Sequence, residues 1–282
     1  MKKFILSAFA DEYDTSFAAQ LEGLKKFEID FIELRFIDEK NIADLDKDEV
    51  ARVKKLLSDF NIGASAIGSP LGKISLDDDF DAHLEKAQRL FQTANELDCK
   101  NIRMFSFYPK KDAAIEADKD EVFEKLYKLA DLASKYGVLL CHENEAKIFG
   151  ESPNNCKEIL TAFDGKIKCV FDMGNFCLDG FNPYQAYELL NEHIEYFHIK
   201  DALSAGAIVP AGKGEAQIKD ILSAHKSKMQ KDTFITLEPH LQTFSGLNAL
   251  TDSHFDNPYK YPDGHASFTD AVKCLKEILN NI

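Results

Sequence analysis

The sequence predicts a (β/α)₈ barrel that forms a single domain over residues 1–282. Three observations lead to this expectation: short apolar runs recur along the chain, segments with helical periodicity separate them, and the last helical segment ends at the C-terminus. Because parallel strands buried on both faces read as continuous apolar runs, eight such runs fit a barrel of about 250 residues with loop insertions. A doubly wound open sheet is the alternative, but it usually has a glycine-rich turn after its first strand, where this chain reads AFADEYD.

Eight runs rich in Ile, Val, Phe or Leu are predicted to be the barrel strands. They cover residues 4–9, 30–35, 61–67, 101–105, 138–143, 167–172, 194–199 and 233–238. No linker rich in Gly, Pro or Ser interrupts this series, so the chain is expected to fold as one domain.

Helical periodicity is clearest in two of the segments between these strands. Apolar residues form one stripe over residues 80–97, which predicts an amphipathic helix. The next helix is expected to stop before Gly137, because glycine suits the left-handed position that follows a helix end. Helix starts are predicted at Asp14 and Thr15 and again at Ser152 and Pro153.

Two loops are longer than ordinary connections, and both are expected on the catalytic face of the barrel. One covers residues 201–217 after strand 7, where the glycines of AGKGE indicate a tight turn or a close approach of the backbone. The other covers residues 239–267 after strand 8 and contains Phe244, His254 and Phe255. This aromatic loop is expected either to cover a substrate or to bury itself in a neighbouring subunit, so formation of a homo-oligomer stays open.

The composition limits the compartment and the partners. The formal net charge of −14 and the pI near 5.0 argue against a nucleic-acid partner, which normally meets a basic face. No segment approaches the length of a bilayer span, and the apolar stretch after Lys3 runs into Asp11 too soon for a signal peptide. Six cysteines without a CxxC pair are typical of a reducing compartment, so a cytoplasmic location is predicted.

Four predicted strands in succession end in a side chain that can bind a metal ion: Glu143, Asp172, His198 and Glu238. A single glutamate at a strand end is usually a surface group, and a single histidine is usually a core residue. Because buried carboxylates without partners are costly, three of them beside an imidazole at one end of a barrel require a cation. The sequence therefore predicts one divalent metal ion, with Mn²⁺, Mg²⁺ or Co²⁺ favoured by the oxygen-rich donor set and Zn²⁺ left open.

The segments around these residues resemble the xylose isomerase-like TIM barrel superfamily, in the branch often labelled sugar phosphate isomerase/epimerase. The resemblance covers nearly the whole chain, from residue 7 to residue 241. Its segments are SAFADE (7–12), FIELR (31–35), IGSPLGKI (67–74), HENEAKIFG (142–150), FDMGNF (171–176), FHIKDA (197–202), IVPAGKGE (208–215) and LEPHL (237–241).

The resemblance implies the same four residues as metal ligands and gives two of them a second role. In the ketose 3-epimerases of this superfamily, the glutamates that match Glu143 and Glu238 also act as the acid–base pair around an enediolate. Two departures concern the substrate: Asn175 stands where those epimerases have a histidine, and Lys200 follows His198 where an arginine is expected nearby.

Six further residues are predicted to contact the substrate: Glu33, Lys73, Arg103, Asn175, Lys200 and His240. For three of them the sequence also allows a purely structural role. Glu33 is expected either at the substrate or in an ion pair with Arg35, and Arg103 is expected to pair with Glu33 or a neighbouring carboxylate if it does not touch the substrate. Lys73 is interpreted equally well as a solvated loop residue. His240 is expected on the same face as Glu238 of an extended segment.

The predicted function is a divalent-metal-dependent isomerase or epimerase that acts on a small sugar, polyol or keto acid through an enediolate. A metal-dependent dehydratase or lyase on a keto-sugar or cyclitol is the nearest alternative, since it shares the proton-abstraction step. A non-catalytic sugar-binding barrel is the third hypothesis, because fold does not determine function. In each case the expected partner is a small molecule, with no nucleic acid and no membrane.

Overall fold

The computed structural model describes residues 2–242 and 259–282. The aromatic loop predicted after strand 8 falls partly outside these residues, and so do its members Phe244, His254 and Phe255.

Eight parallel strands form a nearly closed barrel, which confirms the predicted fold class. Every predicted run contains the strand that forms there, and the predicted ends are wrong by at most two residues. The strands are β1 Phe4–Ala8, β2 Phe31–Leu34, β3 Gly63–Ile67, β4 Asn101–Met104, β5 Leu139–Glu143, β6 Ile167–Asp172, β7 Ile194–Ile199 and β8 Thr233–Leu237.

The barrel has one seam, between β1 and β2. The order of neighbouring strands is β1-β8-β7-β6-β5-β4-β3-β2, and each neighbouring pair in this order forms a parallel ladder. Within the described part of the chain no such ladder joins β1 to β2. Other contacts must therefore hold these two strands together.

Side chains that point into the barrel meet across its interior. The rings of Phe31 and Phe234, near the amino ends of β2 and β8, lie 4.9 Å apart. Farther along the strands the contacts become polar, because the hydroxyls of Ser7 and Ser65 lie 2.6 Å apart and Tyr196 Oη donates to Glu33 Oε1 at 3.0 Å. The interior is thus apolar at the amino ends of the strands and polar toward the carboxyl ends.

Helices surround the barrel and connect its strands. Among the described residues they are α1 Phe17–Lys26, α2 Lys47–Phe60, α3 Phe80–Glu96, α4 Lys119–Tyr136, α5 Pro153–Ala162, α6 Met173–Leu178, α7 Pro183–Leu190, α8 Ile218–Lys228 and α9 Gly264–Leu279. None of the helices in residues 2–242 and 259–282 combines the length and apolar character of a bilayer span.

The predicted helix ends are confirmed at three of the four places. The apolar stripe forms α3, and α4 ends at Tyr136, directly before Gly137, whose φ is +67°. Ser152 caps α5 by accepting the backbone N–H of Asn155. The start predicted at Asp14 and Thr15 is wrong: α1 begins at Phe17, and Asp14 Oδ1 instead accepts the N–H of Ser16 at 2.9 Å.

The loop after β7 folds around the carboxylate of Asp201. A short antiparallel pair joins Asp201–Ala202 to Ile208–Val209. Asp201 also accepts the backbone N–H of Gly212 at 2.7 Å and of Gly214 at 2.9 Å. A Cβ at Gly214 would lie 2.2 Å from Asp201 Oδ1, so the close backbone approach expected from AGKGE is present.

The turn after β3 is held against the end of β4. Gly72 has φ +82°, and a Cβ there would lie 2.0 Å from the carbonyl oxygen of Phe105. Its N–H donates to His83 Nε2 at 3.0 Å. The following residue, Lys73, is thereby placed beside the carboxyl ends of the strands.

A Gly72→Ala variant is expected to lose more free energy of unfolding than a Gly137→Ala variant. Both substitutions place alanine at positive φ, which costs roughly 1–2 kcal/mol, but nothing lies within 4 Å of a Cβ at Gly137. The overlap with Phe105 is expected to add roughly 1–3 kcal/mol at Gly72. Urea denaturation of both variants measures the difference, and equal losses would contradict the steric role of Gly72.

Candidate metal centre

Four side chains converge at the carboxyl ends of consecutive strands, as the sequence predicts. One ligand atom each from Glu143, Asp172, His198 and Glu238 lies within 4.8 Å of the others, and all four residues are buried. Glu143 and Asp172 are the last residues of β5 and β6, His198 is next to last in β7, and Glu238 directly follows β8. Parallel strands that end at one level bring these side chains together.

His198 stands between two of the glutamates. Its Nδ1 lies 2.8 Å from Glu143 Oε1 and 3.2 Å from Glu238 Oε2. Burial alone would lower the pKa of the imidazole, but the carboxylates around it, Glu143 foremost, raise the pKa well above its usual range. The negative charge of the carboxylates thus strongly stabilises a positive charge at this point.

Two buried arginines hold the glutamates from the barrel interior. Arg103 Nη1 lies 3.3 Å from Glu143 Oε2, so Arg103 pairs with a neighbouring carboxylate. Arg35 Nη1 donates to Glu238 Oε1 at 2.9 Å. Both guanidinium groups also lie on the ring of Phe9, at 4.1 Å for Arg35 and 5.2 Å for Arg103. The two glutamates are therefore fixed in direction before any ligand binds.

Lys200 brings a third buried cation to the cluster. Its Nζ lies 3.0 Å from Asp172 Oδ2 and 3.8 Å from Glu238 Oε2. Burial would lower the pKa of Lys200, but Asp172 raises it above its usual range, so the ammonium stays charged. Burial raises the pKa of Asp172 to about 7 even though Lys200 opposes that shift.

The donor set fits a divalent cation. Three carboxylates and one imidazole are ligands that Mn²⁺, Mg²⁺, Co²⁺ and Zn²⁺ all accept. Asp172 Oδ2 is buried without a hydrogen-bond partner in the described chain, although Lys200 lies at ion-pair distance. Buried polar atoms are rarely left unsatisfied, and a cation among the four donor atoms would satisfy this one.

A second group of potential ligands comprises Glu12, Glu238 and His240, but a side-chain cation already lies there. Arg35 Nη2 donates a hydrogen bond to Glu12 Oε1 at 3.2 Å, and Arg35 Nη1 donates one to Glu238 Oε1. Burial raises the pKa of Glu12 to about 8, which reduces its negative charge near neutral pH. The first cluster is therefore the better candidate for a single metal ion.

Lys73 and Asn175 lie beside the cluster and have protein partners. Lys73 Nζ pairs with Glu145 Oε2 at 2.9 Å, with 11% of the lysine side chain exposed. Asn175 Nδ2 donates to the carbonyl oxygen of Asn144 at 2.8 Å. The backbone N–H of Asn175 donates to Asp172 Oδ1, also at 2.8 Å. Asn175 therefore helps to orient a candidate ligand.

His240 and Glu33 touch the ligands directly. His240 Nε2 lies 3.6 Å from Glu238 Oε1. Its backbone is left-handed, with φ +46°, so the extended segment expected at this position is wrong. Glu33 Oε2 lies 3.1 Å from His198 Nε2, on the side of the ring away from the other three ligands, and no ion pair links Glu33 to Arg35 among the described contacts.

Sequence reasoning missed four residues of this site: Asp11, Glu12, Asn144 and Tyr196. Asp11 and Glu12 follow β1 just as the candidate ligands follow or end their strands, and both bind Arg35. Asn144 directly follows Glu143, and its side chain exchanges two hydrogen bonds with the backbone of Asp172. Position at a strand end was a usable signal for the first three residues.

The protein is a (β/α)₈ barrel with a candidate divalent-metal centre, because its fifth to eighth strands bring three carboxylates and one imidazole together. A sequence model described as the xylose isomerase-like TIM barrel matches residues 21–270. The chain therefore belongs to this family, which confirms the resemblance found in the sequence. No curated protein matches the chain.

Solved structures resemble the whole chain at low sequence identity. The IOLI protein with a bound zinc atom is 16% identical, with a TM-score of 0.77 and coverage of 99% of each chain. D-allulose 3-epimerase from Methylomonas sp., solved in complex with D-allulose, is 18% identical, with a TM-score of 0.75 and coverage of 100% of this chain and 98% of that one.

A third similar structure is that of a probable dehydratase. The probable 3-DHS dehydratase AsbF from Bacillus anthracis is 19% identical, with a TM-score of 0.73 and coverage of 97% of this chain and 98% of that one. At these identities the likeness shows the fold, and the neighbours include both epimerases and a dehydratase.

Addition of Mn²⁺ is expected to raise the melting temperature, because a cation that binds only the native state stabilises it by about 2.7 kcal/mol at 100 times its Kd. An Asp172→Asn variant, which loses one anionic donor, is expected to show a much smaller shift in thermal denaturation.

Asp179→Asn is the matched control for this measurement. Burial raises the pKa of Asp179 to about 7, as it does for Asp172, but Asp179 is not one of the four donors. Equal shifts in the two variants would argue against the site.

Proposed function

We propose that the protein is a divalent-metal-dependent isomerase or epimerase of a small sugar, polyol or keto acid. One observation carries the proposal: Glu143 and Glu238 both reach His198 Nδ1, at 2.8 and 3.2 Å, while a buried arginine holds each of them. Two fixed carboxylates beside one cation site are the groups that proton transfer on either side of a carbon requires.

The two glutamates divide the proton transfer between them. One carboxylate takes the proton from the carbon next to the substrate carbonyl, and the C–H electron pair moves into an enediolate. The other carboxyl returns a proton to the opposite face of that carbon in an epimerase. In an isomerase the proton goes to the neighbouring carbon, and the hydroxyl proton passes to the former carbonyl oxygen. A divalent cation in the site would stabilise the negative charge that develops on adjacent substrate oxygens.

Charge favours Glu238 as the group that starts ionised. Burial alone would raise the pKa of its carboxyl, but Lys200 and the nearby imidazoles hold that pKa well below its usual range. Arg35 adds a direct hydrogen bond to the same carboxylate at 2.9 Å. In this proposal Glu238 takes the proton and Glu143 returns one.

A dehydratase is the second candidate, and two observations favour it. One is the fold-level likeness to the probable 3-DHS dehydratase over 97% of this chain. The other is Lys200, a charged and buried ammonium within 3.0 Å of Asp172, which is a proton donor that a leaving hydroxyl could use. The first step, removal of a proton beside a carbonyl, would be the same.

Incubation with ketoses, cyclitols and keto acids in D₂O with Mn²⁺ is expected to show deuterium uptake by NMR. Glu143→Gln and Glu238→Gln are each expected to lower the rate roughly 100- to 10,000-fold, the usual contribution of a general acid or base. Retention of the carbon skeleton and its hydroxyls supports the isomerase or epimerase, and loss of water supports the dehydratase.

Glu195→Gln serves as the control, because Glu195 pairs with Lys231 at the other end of β7 and should leave the rate unchanged. Metal content is measured in every variant, so that a lost ligand is not mistaken for a lost acid or base. Metal binding without exchange into any compound would favour the sugar-binding barrel and contradict the enzyme.

A further inference from the structure

The imidazole of His198 is engaged on both of its nitrogens. Nδ1 faces Glu143 Oε1 at 2.8 Å and Glu238 Oε2 at 3.2 Å. Nε2 faces Glu33 Oε2 at 3.1 Å. Of the two nitrogens, Nδ1 is therefore the one that can offer a lone pair to a cation held by the other three ligands.

Glu33 is built into the barrel and uses both of its carboxylate oxygens. It comes from β2, with 1% of its surface exposed. Its second oxygen, Oε1, accepts the hydroxyl of Tyr196 at 3.0 Å. Tyr196 lies two residues before His198 on β7, so both side chains point to the same face of the strand. One carboxylate thus bridges two inward-facing residues of β7.

We propose that Glu33 is a positioning residue for the metal centre. By accepting the Nε2–H of His198, it would keep that proton on the nitrogen remote from the cluster when a binding cation displaces the proton of Nδ1, and so leave the Nδ1 lone pair for that cation. Tyr196 fixes Glu33 in turn. Carboxylates that hold metal-binding histidines in this way commonly contribute 10- to 100-fold, roughly, to metal affinity.

This role differs from a contact with the substrate. Both oxygens of Glu33 have partners inside the barrel, and His198 lies between Glu33 and the other three ligands. The inference rests on the metal centre of the proposed function and does not depend on which reaction the centre supports.

Calorimetric titration with Mn²⁺ is the first test. Glu33→Gln keeps the shape of the side chain and removes its charge, and it is expected to raise the Kd for Mn²⁺ by roughly 10- to 100-fold. Tyr196→Phe removes one donor to Glu33 and is expected to raise the Kd by a smaller factor. Ser65→Ala is the control, because Ser65 is buried in the same interior but bonds to Ser7 and the backbone of Ile32.

Long-range ¹H–¹⁵N NMR of the Zn²⁺-loaded wild-type protein is the second test, and it reports on geometry rather than stability. The proton of His198 is expected on Nε2, with Nδ1 as the metal-bound nitrogen. A proton on Nδ1, or a Kd in Glu33→Gln equal to that of the wild type, would overturn the proposal.

The outcomes separate this inference from the proposed function. If the wild-type protein binds no metal, the metal centre itself fails. If the wild type binds metal and the Glu33 variant binds it equally well, only the positioning role fails. If Glu33→Gln does not fold, the Tyr196→Phe titration and the wild-type NMR spectrum decide the question.

Discussion

The arrangement of the site depends on the buried guanidinium of Arg35. It binds Asp11 through two hydrogen bonds, Glu12 through one and Glu238 through another, and so connects the ends of β1, β2 and β8. These contacts cross the seam, where the described residues form no ladder between β1 and β2. Burial would lower the pKa of Arg35, but the carboxylates raise it, so the group stays charged. Loss of one partner from a buried ion network typically costs about 3–5 kcal/mol, because the remaining charges are left unpaired. Closure of the barrel and placement of a candidate metal ligand thus come from the same side chain.

The cations around the cluster explain how three carboxylates can be gathered in one place. Arg103 holds Glu143, Arg35 holds Glu238 and Lys200 holds Asp172, each at 3.3 Å or less. Each contact offsets part of the repulsion between carboxylates, and each leaves the other oxygen of its carboxylate directed elsewhere. An arrangement of this kind is preorganised, because little reorientation is needed when a cation or a substrate arrives. The same contacts explain why the glutamates have fixed directions, which an acid–base pair requires.

The strands and ligands could be predicted from the sequence because each left a local signal. Strands buried on both faces give apolar runs, and Glu143, Asp172 and His198 sit at the ends of such runs. The partners of Arg35 could not be predicted, because Asp11 and Glu12 lie more than twenty residues away and Glu238 more than two hundred. Alternation in FIELR places Glu33 and Arg35 on one face but does not say how deep each side chain lies. The left-handed backbone at His240 had no signal, since that conformation is uncommon for a residue other than glycine.

Because of the seam, the free energy of local opening differs between parts of the barrel. Backbone amides in a complete ladder are protected from exchange with water, whereas the facing edges of β1 and β2 rely on side-chain ion pairs. Local opening of the barrel should therefore begin at this edge rather than among β5, β6 and β7. Arg35 connects this edge to Glu238. A ligand that binds Glu238 therefore acts on the part of the backbone that opens most easily. Binding of a cation at the centre would then change the protection of β1 and β2 against hydrogen exchange, although neither strand contributes a metal ligand.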